Sequence, residues 1–290
     1  MMQYKHKWST LAHGFPENFV LVIKDEDPVT LSCNTTIDSN ITWKFHGEVT
    51  EDVALEDGVQ QNGKNLTLSD VGANMLGEYT CWAEGQKLSS IYLLRKAEEE
   101  SKIFFLHCWA KSYDCNFGCK WNDTRFTEVR LGLGHNCAEG QKSCHWVKSS
   151  EKLQDGGFQF QLFHSLLPYA EESTMLEVTA EAKENFNILR TTKKFYLRDI
   201  IRPDSPQLVK CEELEKGLNV IIKPPSTWST PHSFFSLEHE IEYVQRDDGQ
   251  TKNSSFPLIP KKISKLRVRS RDSLVQSAWS EWSPWNNVKY

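Results

Sequence analysis

The residues best suited to chemistry sit in the middle of the chain: Cys108, Cys115, Cys119, Cys137 and Cys144, with His107 and His145 beside the first and the last. Thiolate and imidazole are zinc ligands, so a metal site is the first chemistry to weigh. The cysteine separations are seven, four, eighteen and seven residues. None is the CxxC pair on which zinc ribbons and fingers are built. Nucleophilic catalysis has no local signature either, because Gly-x-Ser-x-Gly, His-Glu-x-x-His and a phosphate-cradling glycine loop are all missing from the sequence. The expectation is a chain that is not an enzyme and uses neither metal nor cofactor.

Two other chemistries remain. The first is disulfide formation. Cys33 and Cys81 bracket Trp43, and Tyr79 stands two residues before Cys81. That spacing predicts a bridge across two sheets, with an indole packed on it and a tyrosine tying down the corner. Cys108 and Cys119 lie eleven residues apart with Trp121 just after, which suits a bridge across a hairpin. Cys115, Cys137, Cys144 and Cys211 are left over, and spacing alone does not pair them. The second chemistry is cation–π stacking. Arg267, Arg269 and Arg271 alternate along one segment, so a strand would set their guanidinium groups in a row about 7 Å apart. The indoles of Trp279 and Trp282, in the motif Trp279-Ser280-Glu281-Trp282-Ser283, can interleave with that row. Lys261, Lys262 and Lys265 extend the basic stretch. They leave a heparin-like glycosaminoglycan open as a partner.

The elements that must position these groups are strands. Val29-Thr-Leu-Ser-Cys33, Leu66-Thr-Leu68 and Leu266-Arg-Val-Arg269 alternate apolar and polar residues, and no segment sustains a helical period. An all-β chain of sandwich domains follows. Its 290 residues suit three units of about 100 each. The acidic run Glu98–Glu100 and the proline-flanked segment Asp199–Pro206 divide it into an immunoglobulin-like domain (1–97) and two fibronectin type III domains (98–200 and 201–290). Immunoglobulin domains usually carry Asp four residues before the corner tyrosine, where Met75 stands here.

Composition narrows the setting. Lys+Arg number 34 against 39 Asp+Glu, a net charge of −5, which argues against a nucleic-acid binder. Apolar runs such as Phe19-Val-Leu-Val-Ile23 are strand-sized, so no membrane insertion is expected. Met1–Trp8 is basic without an apolar core, so no signal peptide is visible. Eight cysteines and five glycosylation sequons, at Asn34, Asn40, Asn65, Asn122 and Asn253, nevertheless point to a secreted, extracellular protein.

This order of units resembles the soluble class I cytokine-receptor architecture. Within it, the chain is similar to the family of beta subunits shared by interleukin-12 and interleukin-23. The residues that carry the resemblance are Phe195–Pro206, Trp228–Leu237, Ala170-Glu-Glu-Ser173 and the closing Trp279–Ser283 motif. The resemblance implies a secreted subunit that clasps a four-helix-bundle cytokine alpha subunit at the bend between its second and third domains. It also implies contact with an interleukin-12-type cell-surface receptor chain through the first domain. Carried over by position, Tyr113, Phe234 and Asp272 would form the elbow, with Asp272 meeting a basic residue of the partner. Leu274 and Val275 stand where the family has a tyrosine pair, and Phe234 replaces a family tyrosine. The contact is therefore expected to be more apolar. Leu167-Pro168 occupies the place of the family's partner-linking cysteine, and the family's second domain-two bridge and domain-three bridge have no positional counterpart. Association is expected to be non-covalent or to use Cys115 or Cys211. The same domain order also fits the ectodomain of an interleukin-6-receptor-like alpha chain, or an immunoglobulin/fibronectin adhesion protein. The end of the chain seven residues after Ser283 favours the soluble subunit.

Overall fold

The computed structural model describes residues 14–23, 28–36, 40–50, 58–97, 105–149, 151–169 and 172–288. The acidic run Glu98–Glu100 and the start of the Ala170–Ser173 segment lie outside them. The chain is all-β, an architecture consistent with an immunoglobulin-like domain followed by fibronectin type III domains. Among the described residues, helix is confined to single turns at His135–Ala138, Ala73–Met75 and Leu197–Ile200. None is long and apolar enough to cross a membrane. The chain divides into two compact units. One comprises residues 1–104, 123–131 and 179–192, the other residues 105–122, 132–178 and 193–290.

In the first unit, alternation sets the pairing. Val29–Ser32 buries Val29 and Leu31 and exposes Thr30 and Ser32. Register then places Leu31 opposite Leu66 and Val29 opposite Leu68 on the neighbouring strand Asn65–Leu68. A one-residue slip would turn that apolar set to water. The facing sheet runs Gln86–Lys96, Gly77–Ala83, Thr42–Phe45, Glu48–Val49. Trp43 lies opposite Cys81, and Cys81 is bonded to Cys33 with Cα atoms 6.0 Å apart. The Tyr79 hydroxyl donates to the Met75 carbonyl at 2.8 Å. That bond uses the backbone of residue 75, so the corner forms although Asp is replaced by Met. Gly77 is required here: its φ is +146°, and a Cβ would sit 2.5 Å from the His46 ring.

Among the described residues, three sheets lie wholly within the second unit. One runs Glu151–Lys152, Phe158–Phe163, Asn116–Trp121, Leu106–Trp109. Cys108 and Cys119 are directly opposite in its register and are bonded. Cys137 and Cys144 are also bonded, across seven residues, a pairing that spacing alone left open. Gly132 makes room for them, since a Cβ there would lie 2.6 Å from both sulfurs. The other two sheets run Gln207–Leu214, Gly217–Lys223, Leu258–Ile259 and Thr251–Ser254, Leu237–Gln245, Ile263–Asp272, Asn286–Asn287. Between them they bury Val220, Ile241, Ile263, Leu266 and Val268.

The proline-flanked segment is held at both ends of its backbone. Ala110 N–H donates to the Ile200 carbonyl at 2.8 Å, and Arg202 N–H donates to the Ala110 carbonyl at 2.7 Å. Arg202 also donates through Nε to the Trp279 carbonyl at 3.0 Å, and the Ser205 hydroxyl donates to the Glu281 carbonyl at 2.8 Å. The hinge is thus tied to the tryptophan motif.

Candidate functional site

Within the second unit, a cavity of about 280 Å³ opens where the loop bearing Tyr113 meets the end of the strand Ile263–Asp272. Asp272 closes that strand and is only 3% exposed. Its Oδ1 accepts from Leu274 N–H at 2.8 Å and Val275 N–H at 2.9 Å, and its Oδ2 accepts from the Tyr113 hydroxyl at 3.1 Å. A buried carboxylate is tolerated when its oxygens are met in this way. The phenol responds in turn: burial, then the Asp272 carboxylate, hold Tyr113 well above its ordinary pKa. Its ring stacks on Phe235 with centroids 5.3 Å apart and meets Trp228 edge-on at 6.0 Å. Tyr113 N–H donates to the Ser229 hydroxyl at 3.0 Å, fixing the loop.

The Trp228–Phe235 segment folds tightly for a local reason. Trp228 is buried and donates through Nε1 to the Phe235 carbonyl at 2.8 Å, while Phe234 and Phe235 N–H both donate to the Pro231 carbonyl at 3.0 Å. Phe235 is therefore packed inward, and Phe234 remains 55% exposed at the rim. Leu274 is 84% exposed. The four elbow residues named from sequence thus line one cavity, with Tyr113 and Asp272 inside and Phe234 and Leu274 at its mouth. Sequence reasoning missed Glu172, Arg198 and Tyr169, which line it too. Glu172 accepts from Leu197 N–H at 2.5 Å and Arg198 N–H at 3.2 Å, and Arg198 lies 3.9 Å over the Tyr196 ring. Glu172 is part of the quoted Ala-Glu-Glu-Ser segment; nothing in its spacing shows which carboxylate turns inward.

The arginine row forms a continuous stack. Arg271 lies 4.5 Å over Trp279, and Arg269 lies 4.8 Å over Trp279 and 4.4 Å over Trp282. Arg267 lies 4.8 Å over Trp282 and 4.5 Å over Trp285, and Lys265 ends the stack 4.6 Å over Trp285. Each arginine also pairs across the sheet, Arg271 with Glu238, Arg269 with Glu240 and Arg267 with Glu242. Ser280 and Ser283 sew the motif to the strand: their N–H groups donate to the Ser270 and Val268 carbonyls at 2.8 Å. Their hydroxyls accept from Ser270 and Val268 N–H at 3.0 Å. Trp285 and the glutamates were missed, although Glu238-x-Glu240-x-Glu242 has the same period of two as the arginines. Lys261 pairs with Glu213 and Lys262 with Asp247, so the lysines read as a glycosaminoglycan site have acidic neighbours.

The sequon asparagines Asn34, Asn40, Asn65, Asn122 and Asn253 are all exposed. Cys115 is exposed and Cys211 half-buried, and neither is in a disulfide.

Residues 104–184 match the family described as Cytokine interleukin-12p40 C-terminus. The protein named Interleukin-12 subunit beta is 31% identical over 287 residues in Homo sapiens, covering 88% of this chain and 85% of that protein. The Felis catus protein of that name is 30% identical over 288 residues with the same coverage. The Bos taurus one is 31% identical, covering 89% of this chain and 85% of its own length. The chain belongs to the interleukin-12 subunit beta family. Membership of this cytokine-subunit family accords with the all-β fold and the disulfides.

Proposed function

We propose that the chain acts as a secreted, receptor-like subunit of an interleukin-12/interleukin-23-type heterodimeric cytokine. Its elbow clasps a four-helix-bundle alpha subunit, and its immunoglobulin-like domain engages an interleukin-12-type cell-surface receptor chain. The observation that carries this reading is the pairing of an exposed apolar rim, Phe234 and Leu274, with a buried and fully held carboxylate, Asp272. Apolar anchors around a desolvated charged centre are what protein–protein hot spots require. Asp272 and Glu172 face one guanidinium, Arg198, among the charged groups lining the cavity. That surplus of negative charge suits a basic residue of the partner and sets its register. Tyr113 acts as a positioning residue, holding the carboxylate from below. In this reading the functional units are the domains 1–97, 98–200 and 201–290, and glycans at the exposed sequons keep the remaining surface soluble.

The test is co-expression of the full chain with the helical cytokine subunits of its own source, scored by co-secretion. Asp272→Asn keeps the shape and an acceptor for the Leu274 and Val275 N–H groups but removes the charge. It is expected to weaken assembly about thirtyfold or more, since truncating a buried hydrogen-bonded charge at an interface costs about 2–5 kcal/mol. Tyr113→Phe is expected to weaken it less. Unchanged co-secretion of Asp272→Asn would sink the elbow assignment.

A further inference from the structure

The largest exposed apolar side chains around the cavity include two that lie on one short strap, Leu167-Pro168-Tyr169. Leu167 is 74% exposed and Tyr169 61% exposed, and both line the cavity mouth. Exposure of that degree is costly for side chains of this size unless a partner covers them. Tyr169 is held in place for such a role. Its hydroxyl donates to the Thr230 carbonyl at 3.1 Å, and its ring meets Phe234 edge-on at 5.3 Å and Phe235 at 5.6 Å. A tyrosine ordered before contact loses little conformational freedom on binding. Leu274 lines the same cavity, and the buried side chain of Asp272 and the largely buried one of Glu172 give it a carboxylate floor. Among the described residues, no cysteine lines the cavity.

We propose that Leu167-Pro168-Tyr169 is the apolar anchor plate of the elbow, gripping an aliphatic side chain of an amphipathic partner helix without a disulfide. This rests on the elbow reading above and adds the chemistry of the occupant. The occupant must present an aliphatic knob to the strap and a cation to the carboxylate floor at once. Residues three or four apart on one helix face do this, since they project side by side about 5–6 Å apart.

The probe is the helical subunit that co-secretes with the full chain, immobilised and used to capture variants from solution. Tyr169→Ser and Leu167→Ser are each expected to lower affinity about tenfold, equivalent to about 1.4 kcal/mol. Tyr169→Phe, which keeps the ring, is expected to bind within about threefold of wild type. Phe256→Ser, a change at an equally exposed phenylalanine outside the cavity lining, is expected to bind like wild type. Leu167, Tyr169, Phe234 and Phe256 are all at the surface, and matched thermal melts separate binding from folding. If the two serine variants bind like wild type while Phe234→Ser does not, the anchor plate is overturned and the elbow stands. If Phe234→Ser also binds like wild type, the elbow reading falls with it. A disulfide-linked band on a non-reducing gel overturns the claim of a non-covalent grip.

Discussion

Single residues show how closely reactivity follows surroundings. Cys115 and Cys211 are the two thiols outside disulfides, and they differ in access. Burial raises the Cys211 thiol above its ordinary value, so less of it is thiolate at neutral pH, and the thiolate is the reactive form. Cys115 should therefore alkylate at least several-fold faster with iodoacetamide in the native protein. Intact-mass spectrometry over time should show one rapid addition and one slow one; equal rates would mean that Cys211 is more open than its packing indicates. Met75 teaches a related lesson. Its side chain departs from the immunoglobulin pattern, but the tyrosine corner needs only its carbonyl. A departure in the side chain leaves the corner intact when the backbone supplies the bond.

At the scale of the element, the strand Ile263–Asp272 organises part of the second unit's surface. One face buries Leu266 and Val268. The other presents alternating cations to two layers of partners, carboxylates on the strand Leu237–Gln245 and indoles from the following motif. Arg269 is the central rung, between Trp279 and Trp282 and against Glu240. Arg269→Ala is expected to lower stability by about 1–3 kcal/mol, from two cation–π contacts and one partly exposed ion pair. Arg269→Lys should recover little of that, because an ammonium lacks the planar face that stacks. Urea titrations of the two variants test this, and a fully rescued lysine variant would show that charge rather than stacking holds the rung. The arginine alternation and the two tryptophans were legible in the sequence. Trp285 was not, because its place in the stack depends on how the chain returns after Ser283 to pair Asn286 with Leu266.

For the whole molecule, several ionisable groups make the folded state sensitive to acid in one direction. Burial lowers the pKa of His164 and of His239 from an ordinary value of 6.5. As pH falls below 6.5 the unfolded chain takes up these protons first, so stability declines until the folded values are passed. Glu238 is lowered by Arg271 and Gln276, and Glu78 by its hydrogen bonds to Ser90 and Lys87, which outweigh its desolvation. Their contribution is present above the ordinary 4.5 and is lost as pH falls through the folded values. Both sets act with the same sign. The melting temperature is expected to be flat from pH 7 to 8 and to fall steadily below 6.5. His164→Gln and His239→Gln should remove the upper part of that decline, near pH 6; a wild-type curve with no decline above pH 5 would count against the histidine assignment.

The sequence by itself determined the all-β class and the pairings that rest on period and spacing. Alternation chooses a buried face for each strand, and a disulfide needs only two cysteines at a distance that a hairpin or sandwich can close. Cys33 with Cys81 and Cys108 with Cys119 are of that kind. The tertiary structure alone decided which leftovers join, because Cys137 meets Cys144 only where a helical turn folds beside a glycine without a Cβ. It also decided that Tyr169, Glu172 and Arg198 join the cavity. Tyr113, Tyr169, Phe234 and Asp272 are separated by long stretches of chain and share no period. They converge because the segments bearing Tyr113, Tyr169 and Phe234 are brought to the end of the strand that Asp272 closes, a placement set by how the sheets pack. Local pattern specifies an element's faces; which loops then meet is set by how the sheets pack.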